Sequence, residues 1–154
     1  MTDRTTSMTP QQLAEASADA MYSLDTAVRA LNIAIEHIAP GEATLAMDVT
    51  EKMIQGHDSC HGGYIFTLGD SAFAYACNTY NAVTVAQGCT IDYIAPGKLG
   101  DRLTAYAKEQ SRGKRTGVYD VRIENQRGEL VALFRGKSYQ VRGTLIEDPS
   151  NPPA

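Results

Sequence analysis

The sequence predicts an α+β domain in which a curved antiparallel sheet wraps around one long central helix. The stretch 59–78 is almost entirely apolar or small, and from residue 59 to residue 91 the only formally charged side chain is Asp70. Strand-like segments flank this stretch on both sides, and short turns with Gly or Pro separate them. A helix this apolar must be covered on most of its faces, which a wrapped sheet achieves.

The composition is that of one ordinary globular domain. The chain has 154 residues, of which 43% are hydrophobic and 21% charged, and its formal net charge is −4. This negative charge argues against a general nucleic-acid binder. No apolar run reaches the roughly 18 residues that a membrane span needs, so we expect no membrane association. The chain start does not resemble a signal peptide and the three cysteines lack paired spacing, which favours a cytoplasmic location.

The first part of the chain predicts a helix followed by a hairpin. We expect the polar segment 1–9 to be disordered. Thr9 and Pro10 are typical of the N-cap and first residue of a helix over 10–24, which continues or re-forms over 25–31. Segments 32–38 and 43–50 alternate like strands around a turn. The helix is expected to pack through Leu13, Ala16, Ala20, Met21 and Leu24.

The central stretch favours a helix over 64–77, because it is longer than a usual strand of about 5–6 residues and rich in alanine. Short connections then predict a largely antiparallel sheet. We expect a disordered tail over 144–154, which leaves 10–143 as a single domain. The four further predicted strands are 82–95, 102–112, 116–125 and 130–142.

Two positions of the central helix indicate chemistry. The first turn of a helix presents unpaired N–H groups, and Gly62 there would let a carbonyl oxygen approach one of them. A lone carboxylate such as Asp70 is costly in an apolar run unless it is hydrogen-bonded or its pKa is shifted. It is either a structural carboxylate that caps a backbone amide or a catalytic group, since a carboxylate can act as general base or nucleophile. Eight positions at 1.5 Å each separate the two residues by about 12 Å. They can act on one substrate only if two copies of the helix lie antiparallel in a two-fold dimer.

A series of motifs resembles a known family. His61-Gly62-Gly63, followed by Asp70 in TLGDSAFA, resembles the hotdog-fold acyl-CoA thioesterases. The resemblance is closer to the phenylacetate-pathway (PaaI-type) branch and covers roughly residues 20–143. It continues through the segments CTIDY, PG, GKRTGVYD and ALFRGKS.

The resemblance implies a set of roles. Asp70 is the expected catalytic carboxylate, the Gly62 N–H polarises the thioester carbonyl, and His61 orients the loop or contacts the acyl group. It also implies a dimer of dimers with shared active sites, an acyl-CoA substrate, no metal and no cofactor beyond the coenzyme A of the substrate. The substrate-binding positions it implies are Gln55, Gly63, Ser71, Lys114 and Arg115.

Several readings stay open beside the resemblance. One cluster of basic residues forms either a solvated strand edge or a contact for the phosphates of coenzyme A. Its members are Arg112, Lys114, Arg115, Arg135 and Lys137. Cys77 and Cys89 are interpreted as core residues. The expected function is hydrolysis of an aromatic acyl-CoA, such as a phenylacetyl or hydroxyphenylacetyl derivative. The alternatives are a non-catalytic acyl-CoA-binding protein and an acyl-thioester hydratase or dehydratase.

Overall fold

The computed structural model describes residues 7–147. No helix in this range is long and apolar enough to cross a membrane. The elements are, in chain order, α1 (Pro10–Leu24), α2 (Thr26–Ala30), β1 (Ala34–Ala39), β2 (Glu42–Asp48), a 3-10 turn (Glu51–Met53), α3 (Gly62–Cys77), β3 (Thr84–Tyr93), β4 (Arg102–Arg112), β5 (Thr116–Glu124) and β6 (Leu130–Gln140).

The six strands form one antiparallel sheet in the order β1-β2-β4-β5-β6-β3, and α3 packs against all six. The predicted α+β architecture with a sheet around a central helix is therefore confirmed. The strand order adds one fact that the sequence pattern did not contain. The turn after β3 does not join neighbouring strands, because β3 lies at the far edge beside β6 and the chain crosses from there to β4.

The start of α1 follows its sequence signals. The Thr9 hydroxyl accepts a hydrogen bond from the Gln12 N–H at 3.1 Å, and the Gln12 side chain accepts one from the Thr9 N–H at 2.9 Å. The buried face runs through Ala14 and Ala18. Leu24, expected to pack inward, is instead 84% exposed, because it is the last residue of α1, where the chain turns into α2.

The aromatic ring of Phe73 packs α3 against the sheet. Phe73 is buried, and its ring lies 5.7 Å from that of Tyr119 and 6.1 Å from that of Phe134. Gly136 of β6 lies directly beneath this ring, since a Cβ at that position would be only 2.6 Å from it. The sheet can approach α3 here only because residue 136 has no side chain.

Gly136→Ala is expected to destabilise the protein by about 1–3 kcal/mol, because the new methyl group would force the buried Phe73 ring out of its position. Denaturant unfolding measures this. Gly56→Ala is the matched control, since a Cβ there meets nothing within 4 Å. Equal midpoints for the two variants would contradict the packing described here.

The two segments expected to be disordered are described only in part. Residues 1–6 and 148–154 lie outside the described range. Next to them, Thr9 takes part in the cap of α1, and the Asn81 side chain accepts hydrogen bonds from the N–H groups of Leu145 and Ile146, each at 2.9 Å. Hydrogen-bonded residues thus lie just outside the predicted domain limits of 10–143 at both ends.

Candidate active site

The start of α3 is fixed by backbone hydrogen bonds from two directions. The N–H of Cys60 donates to the Gly97 carbonyl at 2.7 Å, and the N–H of His61 donates to the Met53 carbonyl at 2.7 Å. Gly62, the first residue of α3, donates its own N–H to no group within residues 7–147. This leaves one backbone donor open at the positive end of the α3 dipole.

His61 determines which N–H remains open. Its Nδ1 accepts a hydrogen bond from the N–H of Gly63 at 2.8 Å, so His61 is the N-cap of α3. An accepting Nδ1 requires the neutral imidazole with its proton on Nε2. The N–H of Gly63 is therefore occupied, and that of Gly62 is the donor available to a ligand.

Tyr93, the last residue of β3, holds the next peptide group of this turn. Its hydroxyl donates to the Gly62 carbonyl at 3.0 Å. Its ring also fills the space beside Gly62, where a Cβ would lie 3.0–3.1 Å from ring and hydroxyl atoms. A glycine at this position is thus explained by the close approach of Tyr93. The open cleft here has a volume of about 410 Å³, and its lining includes Gly62, Tyr93, Ile65 and residues 94–96.

Asp70 lies near the middle of α3 and is half-buried. Burial raises the pKa of its carboxyl above the ordinary value, and the Cys89 thiol, whose Sγ lies 3.9 Å from Oδ1, opposes this shift. A carboxylate with a raised pKa in apolar surroundings is a stronger base than one in water. Asp70 is therefore suited to accept a proton or to attack a carbonyl carbon.

The strand β3 runs alongside α3 in the opposite direction. Tyr93, at its end, contacts Gly62 at the start of α3, and Thr84, at its beginning, exchanges two 2.9 Å hydrogen bonds with Asn78 at the end of α3. Asp70 and Gly62 are eight positions apart on this regular helix, or about 12 Å. One chain thus carries two half-sites, one at Gly62 and one at Asp70, and does not bring them together.

The remaining predicted binding residues fall in two groups around α3. Gln55 closes the loop that leads to α3: its side chain donates to the Ser59 hydroxyl at 2.7 Å and accepts from the His57 N–H at 2.5 Å. Ser71 is half-buried on α3 directly after Asp70. Gln55 thus lies in the loop that precedes Gly62, and Ser71 lies next to Asp70 on α3.

The basic residues differ in whether they already have a partner within the chain. The Arg112 guanidinium stacks over the Tyr80 ring at 3.6 Å, and Arg135 is paired with Asp120 through bonds of 2.6 and 2.9 Å. Lys114 and Arg115, at the exposed tip of the β4–β5 hairpin, form no ion pair with any described residue. The pairing of β5, β6 and β3 places this tip at the end of the sheet where α3 finishes.

The cysteines do not form a nucleophilic or metal centre in the part of the chain that the structure describes. Burial raises the pKa of Cys60 to about 11 and that of Cys77 to about 12, so both are protonated thiols at neutral pH. No group of three or more His, Cys, Asp or Glu side chains within residues 7–147 has a metal-binding arrangement. Cys77 is buried as expected. Cys89 packs against the core but is only half-buried, and its thiol also faces Asp70.

An apolar helix with an open donor at its start and one carboxylate at its middle, enclosed by a wrapped antiparallel sheet, defines a hotdog-fold thioesterase. The profile of the Thioesterase superfamily matches residues 57–132. The chain is 51% identical over 129 residues to the acyl-coenzyme A thioesterase PaaI of Escherichia coli K12, covering 84% of this chain and 92% of that protein. The chain belongs to the thioesterase superfamily, in its PaaI-type branch, and the predicted family and fold are confirmed.

Solved structures agree with this assignment. The structure of the E. coli PaaI protein from the phenylacetic acid degradation operon has a TM-score of 0.87 at 49% identity, covering 88% of this chain and 99% of that one. A hypothetical thioesterase from Streptococcus pneumoniae TIGR4, solved with coenzyme A, has a TM-score of 0.73 at 28% identity, covering 82% and 96%.

Proposed function

We propose that this protein hydrolyses the thioester bond of an acyl-CoA to release the free acid and coenzyme A. The observation that carries the proposal is the open N–H of Gly62 at the start of the helix that also bears Asp70. A thioester carbonyl needs a donor for the negative charge that develops on its oxygen, and a carboxylate to drive the attack. Relatives named as acyl-CoA thioesterases support the same reaction.

The chemistry follows from these two groups. The thioester oxygen accepts the Gly62 N–H, and the dipole of α3 stabilises the tetrahedral oxyanion. In one route Asp70 takes a proton from water while the water oxygen attacks the carbonyl carbon. In the other, Asp70 itself attacks and forms a mixed anhydride that water then hydrolyses. In both, the C–S bond breaks and the coenzyme A thiolate takes up a proton. Neither route requires a metal or a further cofactor.

We infer that two copies of the chain share each site. Antiparallel pairing that places Gly62 of one copy opposite Asp70 of the other has its two-fold axis at Phe66, the position midway between them. The adjacent edge strand supports such an interface: within the described residues the outer edge of β3 pairs with no strand. Large apolar side chains are exposed on it and just after it, at Val85, Tyr93 and Ile94.

The same arrangement suggests where coenzyme A binds. The α3 helix of the second copy would begin toward the end of this chain's α3, the end of the sheet that carries Lys114 and Arg115. These two cations are exposed and have no carboxylate partner in the described range, so they are available to phosphates. A dimer of dimers fits the family resemblance, and the three free cysteines fit a cytoplasmic location.

We propose an aromatic acyl group, such as phenylacetyl or hydroxyphenylacetyl. The support is the similarity to PaaI of the phenylacetic acid degradation operon and the aromatic wall that Tyr93 forms beside Gly62. His61 contributes by occupying the N–H of Gly63. Gln55, in the loop before α3, and Ser71, next to Asp70 on α3, are the candidates for further substrate contacts.

A thiol-release assay over a panel of thioesters tests the function. Phenylacetyl-CoA, hydroxyphenylacetyl-CoA, saturated and unsaturated aliphatic acyl-CoAs and phenylacetyl-pantetheine are compared. We expect the highest kcat/KM for the aromatic acyl-CoAs and a raised KM for the pantetheine ester, which lacks the nucleotide phosphates. Tight binding without thiol release would indicate an acyl-CoA-binding protein, and hydration of the unsaturated acyl group without thiol release would indicate a hydratase.

A further inference from the structure

A bulge in β3 decides which side chain faces Asp70. The pairing of β3 with β6 is regular from Thr84 to Ala86 and again from Gly88 to Tyr93, and Gln87 is the extra residue between them. A bulge reverses the in–out alternation of the residues that follow. Past the bulge, Cys89 and Ile91 are the half-buried positions, whereas Gly88 and Thr90 are exposed. Without the bulge, Cys89 would point away from α3.

Cys89 makes a contact that no other group supplies. Its Sγ lies 3.9 Å from Oδ1 of Asp70, and within residues 7–147 no other side chain or backbone group hydrogen-bonds to this carboxylate. A protonated thiol can donate a hydrogen bond and an ionised carboxylate can only accept one. Since one carboxylate oxygen is occupied by the thiol, the other remains for water or for the thioester carbon.

We propose that Cys89 is a positioning residue for catalysis: through the β3 bulge it presents a thiol donor that orients the Asp70 carboxylate toward the substrate. This rests on the proposed function, and it assigns Cys89 a role in that reaction. Burial and the neighbouring Asp70 both raise the pKa of the Cys89 thiol, which keeps it protonated and able to donate. Its hydrogen bond in turn lowers the pKa of Asp70.

The surroundings contain few groups that could substitute for Cys89. On α3 itself, Cys77 interacts electrostatically with Asp70, but it is a buried thiol whose pKa is raised to about 12, so it carries no charge at neutral pH. The strands β1, β2, β4, β5 and β6, which also pack on α3, contribute no described ionisable group that shifts the pKa of Asp70. Within the single chain described, burial and the Cys89 hydrogen bond are thus the two influences on the pKa of Asp70.

The pH dependence of kcat/KM tests the proposal. Cys89→Ala removes the donor that lowers the pKa of Asp70, so the acid limb of phenylacetyl-CoA hydrolysis is expected to move to higher pH. We expect kcat at neutral pH to fall about 3- to 10-fold with KM little changed, as for the loss of a hydrogen bond of about 1 kcal/mol. Cys89→Ser keeps a donor and should shift the acid limb less than Cys89→Ala does.

Two measurements separate positioning from packing. Thr90→Ser, on the same strand but on its exposed face, is the matched control and should leave the profile unchanged. A ¹³C-carboxyl NMR titration, with the Asp70 signal identified by its loss in Asp70→Asn, should show the pKa of Asp70 higher in Cys89→Ala than in wild type. If the wild type is active and Cys89→Ala shows the same acid limb and the same Asp70 titration as wild type, this inference is overturned and the proposed function is not. A wild type that releases no thiol from any acyl-CoA would instead overturn the proposed function.

Discussion

Asp70→Asn is expected to reduce the rate of acyl-CoA hydrolysis by at least about 10²-fold, the usual contribution of a positioned acid–base group or nucleophile. Asparagine has nearly the same size and can still accept the Cys89 hydrogen bond, but it cannot take a proton from water or attack a carbonyl carbon. The loss should appear in kcat, measured by thiol release at saturating substrate, with little change in KM.

The stability of this variant is the control. Because burial raises the pKa of Asp70, the folded protein binds its proton more readily than the unfolded chain does. Stability therefore decreases as pH rises through that pKa, and the ionised form is unfavourable in the folded state at neutral pH. Asparagine removes this charge, so Asp70→Asn should unfold at the same or a higher temperature than wild type at pH 7. A folded variant with full activity would exclude Asp70 from the mechanism.

The central helix and its two half-sites could be predicted because their signals are local. Asp70 is the only formally charged residue from 59 to 91, and Gly62 is the first residue of the apolar helix in this segment. Composition alone shows that a carboxylate there must be buried and that the helix must be covered. The six strands follow from alternation, and the antiparallel pairing of β1 with β2, β4 with β5 and β5 with β6 follows from the short turns that join them.

The position of β3 could not be predicted in this way. Alternation shows that 84–93 is a strand but does not show which strand it joins, and its neighbour β6 begins at residue 130. The bulge at Gln87 is also set by this long-range pairing. The contacts of Tyr93 with Gly62 and of Cys89 with Asp70 depend on both facts, so neither residue was identified as part of the site from the sequence.

His61 is a single residue whose importance could be predicted from the sequence but whose role could not. Its place before two glycines indicates a functional turn, but its role depends on a rotamer, which brings Nδ1 to 2.8 Å from the Gly63 N–H. The structure therefore assigns it the cap of α3.

Gly62→Pro is expected to lower kcat by about 10²-fold relative to Gly62→Ala, because proline removes the N–H proposed to bind the oxyanion. Proline is tolerated at the first position of a helix, and His61 has the extended ψ of 132° that a residue before proline requires. Both variants place a Cβ against the ring of Tyr93, so they share that steric cost. Equal rates for the two would show that the Gly62 N–H is not the oxyanion donor.

Combining these variants tests whether the site is shared. A dimer of one Asp70→Asn chain and one Gly62→Pro chain, isolated with two different affinity tags, retains one site with Gly62 from the first chain and Asp70 from the second. Although each variant alone is inactive, this mixed dimer should recover about half of the wild-type activity, one of its two sites being intact. The matched control pairs a wild-type chain with a chain carrying both substitutions. If the two residues act across the interface, every site of that control dimer has one defect and it stays inactive. If they act within one chain, the control is half active and the mixed dimer is not.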